Sequence, residues 1–174
     1  MKKVNWREAP DPAEFRRVVP GGYVAQITNV EDDAGKEYLK IYFDIAEGPL
    51  KGVYKEQFEK FGNWGGRFFR SYKESALGFF KGFISSVEKS NPGYMFDDDE
   101  RTLVGKYIGI VLGAEEYLKQ NGNIGKRVYV AKITTPDTIR LGKFDIPEFK
   151  KLEPEDVGFT PADANGVEDD DLPF

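Results

Sequence analysis

The sequence predicts an all-β domain with one helix, followed by a disordered acidic C-terminal tail. Three observations lead there. Residues 37–45 alternate apolar and polar side chains at the period of a half-buried strand. Residues 72–88 hold the clearest helical spacing in the chain. After Lys151 there is no lysine or arginine, while eight acids follow: Glu153, Glu155, Asp156, Asp163, Glu168, Asp169, Asp170 and Asp171. At 174 residues and 40% hydrophobic, the chain can build one substantial core with attachments.

The elements follow in order. Residues 1–20 read as an N-terminal arm, broken by Pro10, Pro12 and Pro20, and residues 21–152 as the folded domain. A first strand is expected at Tyr23–Val30, with a turn through Asp32, Asp33 and Gly35. In the second, Glu37–Ile45, Leu39, Ile41, Phe43 and Ile45 face one way and Tyr38, Lys40, Tyr42 and Asp44 the other. Gly48-Pro49 stops it, and a third strand is expected at Val53–Phe58, after Gly52. The aromatic, glycine-rich stretch Phe61–Arg70 leads into a helix over Tyr72–Glu88. Ser71 and Glu74 would form its capping box, with Leu77, Phe80, Ile84 and Val87 on one face. Asn91-Pro92-Gly93 ends that region. Strands at Thr102–Leu112 and Arg127–Thr135, joined by a polar loop through Lys119–Asn123, complete the domain. Residues 153–174 form the tail, of low complexity from Pro154 onward. The order β-β-β-α-β-β is that of the OB-fold, a five-stranded, partly open barrel.

Composition narrows the chemistry. Without cysteine there is no disulfide framework, thiol nucleophile or thiolate zinc site, and without histidine the commonest general base and transition-metal ligand are missing. No phosphate-binding P-loop and no GxGxxG dinucleotide fingerprint occurs. Asp97-Asp98-Asp99-Glu100 invites a nuclease reading, but adjacent carboxylates diverge, and two-metal sites collect acids from separate elements. A solvated loop is expected there. We therefore assign no catalytic residue, cofactor or metal. No apolar run is long enough to span a membrane and no signal-peptide core is visible, so a cytoplasmic protein is expected.

The net charge of −5 averages two different objects. Residues 1–152 carry 25 basic and 22 acidic side chains, a mildly positive body, and the tail carries only acids. Such asymmetry suits a nucleic-acid binder with an interaction tail. Single-strand binding needs flat π-faces for bases and cations for phosphates on one surface. The outward row Tyr38-x-Lys40-x-Tyr42 offers both, and in OB-folds the channel runs over strands two and three and the loops joining strands one–two and four–five. Tyr54 and Lys55 on strand three, and Lys119, Lys126 and Arg127 in or beside the last loop, are the expected neighbours. Trp64 and Arg67, among glycines, suit a loop laying an indole against a base with a cation near the phosphate. The alternative is that Trp64 plugs the barrel, as Phe68 and Phe69 are expected to do.

The last six residues carry the second half of the reading: Asp169, Asp170, Asp171, Leu172, Pro173 and Phe174. Three acids can lie along a basic ridge while Phe174, stiffened by Pro173, enters an apolar pocket and the terminal carboxylate meets a basic rim. This tip resembles that of bacterial and phage single-stranded DNA-binding proteins. The stretches Leu103–Leu112 and Arg127–Ile133 resemble the diverged OB-fold replication proteins of phages of Gram-positive bacteria. The resemblance implies binding of single-stranded DNA without strong sequence preference, in replication, recombination or repair. It also implies docking of primases, helicases, nucleases or recombination mediators on the tip, in the host cytoplasm if phage-encoded, with a homo-oligomer left open. The competing reading is an OB-fold recombination or helicase-loading adaptor that binds mainly protein.

Overall fold

The alternation across residues 38–45 builds the strand around which the core closes. The computed structural model describes residues 2–8 and 16–153; the tail from Pro154, with the tip Asp169–Phe174, lies outside the described residues. Five strands form one antiparallel sheet: β1 Gly21–Asp33, β2 Tyr38–Ile45, β3 Arg67–Ser71, β4 Tyr107–Leu118 and β5 Ile124–Thr134. Their order is β3-β2-β1-β4-β5, and the two edge strands approach each other. The main helix is α2 (Leu77–Ser90), with shorter α1 (Val53–Phe61) and α3 (Pro136–Arg140). Among the described residues no helix is long and apolar enough to cross a membrane.

Leu39, Ile41, Phe43 and Ile45 are all buried, as their period requires. They meet Ala25 and Ile27 of β1, Phe68 of β3, Ile108, Ile110 and Leu112 of β4, and Phe83 and Val87 of α2. Phe68 packs edge-on to Phe83 at 5.5 Å. Each such side chain contributes about 1.5–3 kcal/mol on leaving water, so this shared cluster, not helix propensity, holds α2 on the sheet.

Three expectations need correction. Residues 53–58 are not a strand but the start of α1, and the third strand lies at Arg67–Ser71, inside the glycine-rich stretch. Tyr54, Phe58 and Phe61 recur at helical spacing, and Gly52 turns the chain with φ 74°. The Asp44 carboxylate accepts from the backbone N–H groups of Ile45 (2.8 Å), Tyr54 (3.0 Å) and Lys55 (3.2 Å), so a residue of β2 caps the helix that Gly52 cannot cap. The element order thus gains a helix between β2 and β3. Second, Ser71 is no capping box: it ends β3 and its hydroxyl accepts from Lys73 N–H, while α2 starts at Leu77 after a 3₁₀ turn at Glu74–Ala76. Leu77 is exposed, and Phe83, absent from the expected face, is buried beside Val87, which was on it. Third, β4 begins at Tyr107, because Glu100–Leu103 forms a 3₁₀ turn capped by Asp99.

The C-terminal run covers the opposite face of the sheet. α3 lies against β1 and β4. A Cβ on Gly109 would stand 2.4 Å from the Thr135 carbonyl oxygen, and one on Gly22 2.4 Å from the Phe144 ring. Only glycine admits so close a layer. Farther on, Lys150 N–H donates to the Ala114 carbonyl at 3.1 Å and Glu116 N–H to that of Lys150 at 2.8 Å, joining the run to β4. At the other end, Arg16 of the expected arm is tied down: it pairs with Glu56 and donates to the Pro49 carbonyl at 2.9 Å.

Asp44→Ala should lower stability in urea unfolding by about 1–3 kcal/mol, with Asp44→Asn recovering part of the loss. Gly109→Ala should cost about 1–3 kcal/mol by overpacking, and amide exchange should quicken in α3 before it does in β2.

Candidate nucleic-acid interface

Antiparallel register decides which side chains share the outward face of β2. Lys40 lies between Glu31 of β1 and Phe69 of β3, and Tyr42 between Asn29 and Arg67. The Lys40 ammonium sits 5.6 Å from the centre of the Tyr42 ring and 5.9 Å from that of Phe69. An aromatic–cation–aromatic row exists, but it runs across two strands, as Tyr42, Lys40 and Phe69. Tyr38, expected at one end of the row, is 4% exposed, its ring edge-on to Phe69 at 5.4 Å. Phe69 therefore does not plug the core as expected; it stands on the outer face, and Phe68 alone turns inward.

The same face is acidic on its β1 side. Glu31, Asp32, Asp33 and Ala34 line an open hollow with Tyr38 and Lys40. The Tyr42 hydroxyl donates to Glu31 Oε2 at 3.3 Å and the Tyr72 hydroxyl to Asp32 Oδ1 at 2.8 Å. That second bond holds the proton on Tyr72, pushing its pKa up to about 12.

Other expected contacts are divided. Tyr54 sits on α1, 7% exposed and edge-on to Phe43 at 5.5 Å, and burial pushes its hydroxyl far above the usual phenol range. It is a core residue, because its strand was a helix. Lys55, on the next position of α1, is exposed. The Trp64 indole donates to the Phe43 carbonyl at 2.9 Å and lies 5.8 Å from Phe58, half-buried against the core. The ring is thus packed against the core instead of standing free on the surface. Arg67 is on β3 opposite Tyr42 rather than in a loop, and its Nε and Nη2 atoms are buried.

The remaining three belong to the β4–β5 hairpin. Lys119 is exposed in its loop and Lys126 is exposed on β5. Arg127 pairs with Glu115 at 2.8 Å and lies 4.9 Å over Tyr117. Sequence reasoning missed the aromatics here: Lys126 lies 5.6 Å over Phe149, and Lys150 4.6 Å over Tyr129. Arg127-x-Tyr129 is the period-two signal that could have found one of them. Phe149 and Lys150 arrive from a distant run and carry no such signal. The acidic loop is occupied with itself: Asp99 accepts from the Arg101 backbone N–H and guanidinium, which holds its carboxyl below the usual range. No protein-family model matches the chain, and no curated protein is significantly similar to it.

Trp64→Phe removes a hydrogen bond to a backbone carbonyl and should cost about 0.5–1.5 kcal/mol in urea unfolding. Any nucleic-acid affinity, measured by anisotropy, should stay within about twofold of that of the unaltered chain, since the indole is engaged with Phe43 and Phe58.

Proposed function

We propose that this chain binds single-stranded DNA without strong sequence preference and acts in the cytoplasm, protecting the strand during replication or recombination. The observation that carries this reading is the row of Tyr42, Lys40 and Phe69 on the outward face of β2 and β3. Bases stack on the rings and phosphates follow the cations, an arrangement that tolerates any base because each has a π-face. The hairpin residues Lys119, Lys126 and Arg127, with Tyr117 and Tyr129, extend the contact along the strand. The sheet order agrees with a five-stranded barrel opened between β3 and β5, and the approach of those two strands supports an OB-type architecture. The segment Asp169–Phe174 recruits DNA-processing proteins, its acids meeting a basic ridge and Phe174 an apolar pocket.

One observation favours a second reading, an OB-type adaptor that binds mainly protein. Glu31, Asp32 and Asp33 crowd the β1 side of Lys40, and Arg127 is paired with Glu115, which weakens the field available to phosphates.

Anisotropy of a labelled thymine oligomer and of a duplex separates the two. The full chain and one ending at Gly166 are titrated across a salt series. The expected result is preference for the single strand, weakening with salt by roughly 0.7 logarithmic units per neutralised phosphate. Affinity should rise when the acidic segment is removed. Tyr42→Ala should lose about 1–3 kcal/mol of affinity while keeping its unfolding midpoint. Absence of binding at low salt by both chains would leave the adaptor.

A further inference from the structure

A carboxylate is out of place on a surface meant only for phosphates, yet Glu31 stands directly across the sheet from Lys40. It is exposed, and its Oε2 accepts from the Tyr42 hydroxyl at 3.3 Å, which draws the carboxylate toward the ring on which a base would stack. The two strands thus present an anionic acceptor and a cationic donor side by side, next to that ring. An anion there repels the backbone and attracts whatever part of a nucleotide carries N–H groups. Only the base edge does.

Among the bases, the match is best for guanine. Its pairing edge offers two adjacent donors, N1–H and the N2 amine, which a carboxylate accepts together, and beside them the O6 acceptor, which an ammonium can meet. Thymine offers one donor between two carbonyl oxygens, and a carboxylate meets both of those with repulsion. Unpaired bases are read on this edge, and a bidentate pair discriminates at the level of about 1–3 kcal/mol.

We propose that Glu31, positioned by Tyr42 and set against Lys40, reads the pairing edge of a guanine stacked on this face, giving the protein a guanine bias over its general affinity. This inference rests on the single-strand reading above and adds a specificity-determining residue to it. The bias is confined to one subsite. Strands lacking guanine still bind through stacking and phosphate contacts.

The test compares three labelled oligomers of equal length with the full chain: thymine only, thymine with isolated guanines spaced to prevent quadruplexes, and the same strand with inosine in place of each guanine. The unaltered chain should bind the guanine strand about tenfold tighter than the thymine strand, with inosine between them because it lacks the N2 amine. Glu31→Gln should abolish the difference while binding thymine as tightly as before or more so, since a negative charge has left the face. Circular dichroism and the urea midpoint confirm that the variant is folded. Equal affinity of the unaltered chain for thymine and guanine strands overturns the guanine bias and leaves single-strand binding intact. A bias that survives in Glu31→Gln overturns the role of Glu31. No binding to any of the three overturns the single-strand reading itself.

Discussion

Everything on the β2–β3 face depends on how the chain leaves β2, and that exit is held by one carboxylate. Asp44 gathers the N–H groups of Ile45, Tyr54 and Lys55, so the last turn of the strand and the first turn of α1 share a single acceptor. Those amide groups would otherwise face a helix start with no side-chain cap, at a cost comparable to losing a hydrogen bond each. With α1 fixed in this way, Tyr54 drops onto Phe43 and leaves no room above Gly66, where a Cβ would stand 2.3 Å from the Phe43 carbonyl oxygen. The Phe43 N–H then reaches the Gly66 carbonyl at 2.8 Å, and β3 is delivered alongside β2 with Phe69 outward. The outward row is a consequence of a cap on another element.

How much of this was legible follows the range of the interactions. Leu39, Ile41, Phe43 and Ile45 were readable because a strand's burial pattern is local, and the face they define is buried. The helical face of α2 was readable in part, since Phe80, Ile84 and Val87 lie on it; Leu77 falls at the helix start and is exposed, and Phe83 joins the buried face instead. The helix at Val53–Phe61 was misread because its cap, Asp44, lies ten residues upstream of Tyr54 and looked like one more outward strand residue. No local pattern announces a cap that the next element borrows.

The candidate face was legible to a similar degree and for the same reason. Lys40 and Tyr42 stand where the alternation puts them. The second ring of the row is Phe69 and not Tyr38, because strand pairing, which sequence does not display, brings Phe69 opposite Lys40 and lets it shield Tyr38. Lys40 is consequently a shared cation between rings of two strands, and Glu31 is its neighbour on a third. The face combines stacking surface, a donor and an acceptor within a few residues, a chemically richer surface than a plain basic groove.

The join between Lys150 and β4 has a consequence of a different kind. β1 runs out at Gly21, opposite Leu112, so the next residues of β4 extend past their partner and would leave peptide groups bare along that margin. Such a margin is a template on which a foreign chain can nucleate, the first step toward misassembly. Here the protein's own backbone occupies it at Ala114 and Glu116, and Leu152 N–H closes on the Glu116 carboxylate at 3.1 Å. The run that delivers Phe149 and Lys150 to the hairpin is also a guard against aggregation, and a chain cut before Phe149 would trade that protection for a sticky edge.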